Sequence, residues 1–181
     1  MKTNTFFNVR RFYVLSRNTI LLNSMPLLII AGAIGGIALF LSGANAFQGG
    51  GSDIYKKLYL PILFLGGFAV TGRIFRELHH KERGSAWLVL PASMFEKFSS
   101  RLFLSTIGYI AGTVIFWFLF SVVSEGLNWI LFRQTNSLFN PFDRRILWAM
   151  AYYIVLQSPL LVGAVYFKRL TISKTILSLV I

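Results

Sequence analysis

The chain has no cysteine among its 181 residues, which excludes disulfides, thiol nucleophiles and cysteine-ligated metals. It is also poor in charge: 13% of its residues are charged, against about 25% in an ordinary soluble domain. Acidic residues are scarcer still, six Asp and Glu against eighteen Lys and Arg, for a formal net charge of +12. No stretch reads G-x-x-x-x-G-K-[ST], so the chain supplies no phosphate loop of its own. Its two histidines, His79 and His80, are adjacent and on a helix would point about 100° apart, which reads as a solvated basic helix end rather than a metal pair. No serine stands with a histidine and a carboxylate in a nucleophilic arrangement. The chain is therefore not read as an enzyme, and no cofactor or metal is expected.

What is present is hydrophobic length. Apolar residues make up 55% of the sequence, and the mean hydropathy is +0.65. A helix rises about 1.5 Å per residue, so about 20 apolar residues cross about 30 Å of hydrocarbon. Residues 20–41, 102–123 and 146–167 meet that length without an internal charge. Residues 58–74 form a shorter fourth stretch that meets Arg73, whose long stem lets the guanidinium reach the headgroups. The expected fold is an all-α, polytopic transmembrane helical bundle of four spans, one transmembrane domain over residues 1–181. Residues 175–181 read as the start of a truncated fifth span or as a short apolar tail in the interface.

Lys and Arg concentrate in cytoplasmic loops. With the N-terminus cytoplasmic, thirteen basic residues fall inside and five outside, the latter being Lys56, Lys57, Arg133, Arg144 and Arg145. Ala44-Asn45-Ala46 resembles a signal-peptidase site, but the 22 apolar-span residues before it exceed the 7 to 15 of a signal-peptide core, so the first helix is expected to be retained. Residues 1–19 mix aromatic and basic side chains as a lipid-surface segment would. The glycine-rich outer loop, 42–53, reads as flexible and without a site, and residues 124–145 as a surface helix or a plain connector. Trp117, Trp129 and Trp148 read as outer interface anchors and Trp87 as an inner one. Since the aromatics lie mostly in uncharged spans, nucleic acid is not an expected partner.

Within the spans, Gly32 with Gly36 and Gly108 with Gly112 form GxxxG pairs, which serve helix packing inside a subunit or a dimer face. Gln157-Ser158-Pro159 forms a polar cluster in the fourth span, either a kink or a hinge on a substrate path. No Asp, Glu, Lys or His falls inside the four stretches, so no proton relay or ion-binding carboxylate is expected there.

The inner loop between spans two and three carries the most local order. Glu77 and Lys81 stand i, i+4 in the favourable sense, Gly84 ends that helix, and residues 87–90 make an apolar patch on the inner side. Pro91 disfavours helix at Leu90, and Ser93-Met94-Phe95-Glu96 is a capping box, so a new helix is predicted from Met94 unbroken to Val123. The order of parts, with Leu90-Pro91-Ala92-Ser93 followed by Glu96-Lys97, is similar to the membrane subunits of type 2 ABC exporters, particularly small bacterial permeases. That resemblance implies a coupling turn-helix over 84–97 that docks on a separate ABC ATPase subunit through Trp87, Leu88, Leu90, Pro91, Ser93, Glu96 and Lys97. It further implies a homo- or hetero-dimer of membrane subunits in the bacterial cytoplasmic (inner) membrane, and six spans where four are found here. The alternative from another class is a structural or assembly subunit of a larger membrane complex, without transport activity.

Overall fold

The computed structural model describes residues 8–51, 53–74 and 93–166, and these are helical apart from turns and short connecting segments. In chain order the helices are α1 (Val9–Phe47), α2 (Ile54–Pro61), a π-helical turn (Ile62–Gly66), α3 (Gly67–Ile74), α4 (Met94–Phe103), a second π-helical turn (Leu104–Gly108), α5 (Tyr109–Phe132) and α6 (Arg144–Tyr166). Among the described residues, three stretches are long and apolar enough to cross a bilayer: Ser24–Phe47, Ile54–Gly72 and Phe95–Phe132. The chain is thus all-helical among its described residues and has the helices of a multi-pass membrane protein.

The elements differ from expectation mainly at their ends. The basic segment before the first span is not a separate surface helix from Val9 onward; it is the first part of α1, a single helix of 39 residues that continues through Pro26. At the other end α1 runs past Leu41 to Phe47, carrying Ala44, Asn45 and a fully buried Ala46 within it. It stops where Gly49, Gly50 and Gly51 take φ of 116°, 67° and 77°, a left-handed run open to glycine alone at low cost. Gly51 N donates to Thr135 O at 3.0 Å, and a Cβ on Gly50 would sit 2.8 Å from that same oxygen. The glycines thus bring this loop against the later loop that carries Thr135.

Residues 124–132, expected to leave the membrane helix, instead extend it. α5 ends only at Phe132, where Arg133 adopts φ 55° as a left-handed C-terminal cap, its N–H on Trp129 O and its guanidinium 4.9 Å from the Trp129 ring centroid. α6 begins behind Asp143, whose Oδ1 accepts from Arg145 N at 2.9 Å. Lys56 joins both loop carboxylates, lying 3.2 Å from Asp53 and 2.8 Å from Asp143. Hydrogen bonds from Ser137 and Lys56 hold the Asp53 carboxyl below the usual carboxylate range, and Lys56 together with Arg145 N does the same for Asp143.

Internal contacts group the chain into two compact units, one built from residues 1–22, 65–109 and 153–181 and the other from 23–64 and 110–152. In the second, Tyr55, Tyr59 and Leu63 pack with Trp117, Phe139 and Ile146 as a fully buried core. Trp117 is therefore no interface anchor: its ring meets Tyr55, Phe116 and Phe120 edge-on. Trp129 and Trp148 are each 54% exposed. In the first unit the helix beginning at Met94 passes through its π-turn with Ser105 buried.

Candidate functional site

Three polar arrangements bear on function, and each begins from a local rule. At the foot of α4, Ser93 is extended (φ −67°, ψ 155°), its Oγ accepts from Glu96 N at 3.1 Å, and Glu96 Oε2 accepts from Ser93 N at 2.8 Å. The reciprocal box that the Ser-x-x-Glu spacing predicts is formed. A bond that spacing could not show is the one from Asn8 N to Glu96 Oε1, 2.5 Å. Asn8 Oδ1 in turn accepts from Arg10 N at 3.0 Å, at the start of α1. One buried carboxylate therefore fastens the first turns of α1 and α4 together, and Phe12 packs edge-on against Phe103 beside it. Lys97 is buried next to Glu96. Trp87, Leu88, Leu90 and Pro91 lie outside the described residues, as do Glu77, Lys81, His79 and His80.

The second arrangement surrounds Gln157. A π-turn widens the helix so that a backbone N–H skips its usual i−4 acceptor. Here Tyr109 N bonds Leu104 O, which frees Ser105 O, and the Tyr153 hydroxyl donates to it at 3.0 Å. Tyr153 and Gln157 are i, i+4 neighbours on α6, as Gly67 and Thr71 are on α3, so the two pairs meet in register. Gln157 Nε2 donates to Thr71 Oγ1 at 3.0 Å and to Ser105 Oγ at 3.2 Å. Both hydroxyls give their own protons to helix carbonyls, Thr71 to Gly67 O and Ser105 to Leu102 O, and so present lone pairs to the amide. Gln157 Oε1 is left buried with no hydrogen-bond partner. Ser158 is exposed, and the helix continues through Pro159. Because the orphan oxygen offsets the two bonds made by the nitrogen, Gln157→Leu is expected to shift unfolding by less than about 1 kcal/mol. Thermal unfolding of the purified protein checks this, and a loss several times larger would mark the amide as the tie between these helices.

Neither the composition nor the span lengths pointed to the third arrangement. Glu125 lies on α5 beyond the predicted end of the third span, and it is 6% exposed. The four stretches read from the sequence hold no carboxylate, and Glu125 escaped that count because α5 continues for nine residues past Val123. Glu125 Oε1 accepts from the Tyr55 hydroxyl, from Ser42 Oγ at 3.3 Å, from Asn128 Nδ2 at 3.1 Å and from Asn136 Nδ2 at 3.2 Å. Oε2 accepts from Asn136 N at 2.6 Å. Asn45 donates to Asn136 Oδ1, and Ser124 and Asn128 both donate to Ser42 Oγ. Neutral donors alone thus surround the carboxylate, which makes no ion pair among the described residues. The loop expected to carry no site begins with two of its members, Ser42 and Asn45. A signal existed in the sequence: Ser121, Ser124, Glu125 and Asn128 fall at i, i+3, i+4 and i+7, one helical face, and all four are buried.

The glycine pairs stand differently from this network. A Cβ on Gly32, Gly36 or Gly112 would meet nothing within 4 Å, and one on Gly108 would meet only its own helix, at Leu104 and Phe103. Close approach occurs at other glycines: Gly35 beneath Phe116 and Phe120, Gly66 beneath the Tyr109 hydroxyl and Gly67 beneath the Tyr153 ring.

No protein-family model, curated protein sequence or solved structure matches this chain.

Proposed function

We propose that the chain is an integral membrane permease subunit of an ABC-type exporter, crossing the bacterial cytoplasmic membrane four times with its N-terminus inside. Its substrate moves when a separate ATPase subunit rearranges against the turn-helix of residues 84–97, with a second membrane subunit completing the path. The observation that carries this reading is the Glu96 junction. A cap that binds Ser93 N and Asn8 N on one carboxylate couples the start of α1 to the foot of α4. A displacement delivered just ahead of Ser93 would then be shared by two membrane helices instead of being absorbed in a loop. The three long apolar helices support the membrane setting, and this reading takes α6, 23 residues long, as the fourth crossing.

The test is co-purification with a candidate ATPase encoded beside this chain. The double change Trp87→Asp, Leu90→Asp is expected to abolish ATPase recovery while leaving membrane insertion intact. Undiminished recovery would overturn the coupling assignment. A static assembly subunit is distinguished by turnover, since it would leave the ATPase rate of the reconstituted pair unchanged, whereas a permease raises it.

A further inference from the structure

The start of α6 and the last turn of α2, with the π-helical turn that follows it, border an open, shallow groove of about 680 Å³. Its walls are apolar: Leu60 and Phe64 on one side, Trp148 and Tyr152 on the other, the last two one helical turn apart with rings tilted by 34° and centroids at 5.9 Å. Its mouth is cationic. Arg144 and Arg145 line it, and neither forms an ion pair among the described residues. The nearest carboxylate, Asp143, is occupied by Lys56 at 2.8 Å and by Arg145 N at 2.9 Å. A solvent-filled groove would waste both features, since Trp148 and Tyr152 leave 54% and 58% of their surface uncovered.

We propose that this groove holds an anionic phospholipid, its phosphate between Arg144 and Arg145 and an acyl chain along Leu60, Phe64, Trp148 and Tyr152. The charge complementarity is direct: guanidinium forks match phosphate oxygens, and hydrocarbon matches the aromatic wall below them. A water-soluble phosphate would satisfy the mouth and leave the walls bare; a zwitterionic lipid would cover the walls but bring its own quaternary ammonium charge up against the two arginines. The inference rests on Ile54–Gly72 and α6 crossing a bilayer and is independent of any ATPase, so its test and the co-purification above can fail separately.

The full chain is reconstituted in phosphatidylcholine vesicles containing a small, equal fraction of either brominated phosphatidylglycerol or brominated phosphatidylcholine. Quenching of Trp148 is read as the difference between wild type and Trp148→Phe. Brominated phosphatidylglycerol is expected to associate at least about fivefold more strongly, since its net negative charge is worth about 1 kcal/mol per nearby arginine. That preference should vanish in Arg144→Gln, Arg145→Gln, persist in Arg133→Gln, and persist in excess inorganic phosphate. Equal quenching by the two lipids in the wild type, which needs no variant to fold, overturns the proposal. A preference surviving the double arginine change, or abolished by inorganic phosphate, overturns it as well.

Discussion

Glu125→Ala is expected to be among the most damaging single substitutions in the chain, lowering stability by about 3 kcal/mol or more. The side chain is the acceptor for the Tyr55 hydroxyl, for the Asn136 backbone N–H and for the amides of Asn128 and Asn136. Removing it orphans donors that no solvent reaches, and each buried donor left unpaired costs about 1–3 kcal/mol. Ser42 relieves part of this, because its Oγ already accepts from Asn128 and Asn136. Glu125→Gln should cost about half as much. It retains one oxygen for Asn136 N, but it turns an amide N–H₂ toward groups that are themselves donors. Thermal unfolding in detergent, followed at fixed pH for both variants, gives the order alanine worse than glutamine worse than wild type. An alanine variant as stable as wild type would falsify the view that this carboxylate holds the loop around Asn136 to α1, α2 and α5.

The second large effect is expected at two adjacent glycines, and the two are separable by rescue. A Cβ on Gly66 collides with the Tyr109 hydroxyl oxygen, whereas a Cβ on Gly67 collides with ring carbons of Tyr153 as well as its oxygen. Overpacking of this kind costs about 1–3 kcal/mol when neither backbone can retreat. Gly66→Ala should therefore destabilise, and adding Tyr109→Phe should restore most of the loss by deleting the offending atom. Gly67→Ala should destabilise at least as strongly, and Tyr153→Phe should restore none of it, since the ring stays and the bond to Ser105 O is lost. Unfolding midpoints of the four variants decide the matter. Equal rescue at both positions would show that the hydroxyls alone set the approach of α3.

These two outcomes concern residues that reading along the chain passed over, whereas the features it picked out were local ones. The Ser93 to Glu96 box was legible because its partners are three residues apart and its geometry is the same in any helix start. Helix existence was legible from hydrophobic length, and the stretches Ser24–Phe47, Ile54–Gly72 and Phe95–Phe132 all overlap predicted spans. Helix ends were not. α1 begins at Val9 and closes at Phe47, and α5 closes at Phe132, because nothing before the glycine run or Arg133 stops the backbone. Hydropathy falls where polar residues begin, but a helix continues through polar residues when their side chains find partners.

The sequence by itself determined that this chain makes long apolar helices, where one of them is capped, and that thiol and phosphate-loop chemistry are absent. Tertiary structure decided which polar atoms are buried together. Glu125 meets Ser42 at a sequence separation of 83 and Tyr55 at one of 70, and Tyr153 takes a carbonyl that only a π-turn releases. The reason is physical: hydropathy is a property of each residue summed along the chain, whereas the fate of a buried hydrogen-bonding group depends on which distant donor or acceptor arrives beside it.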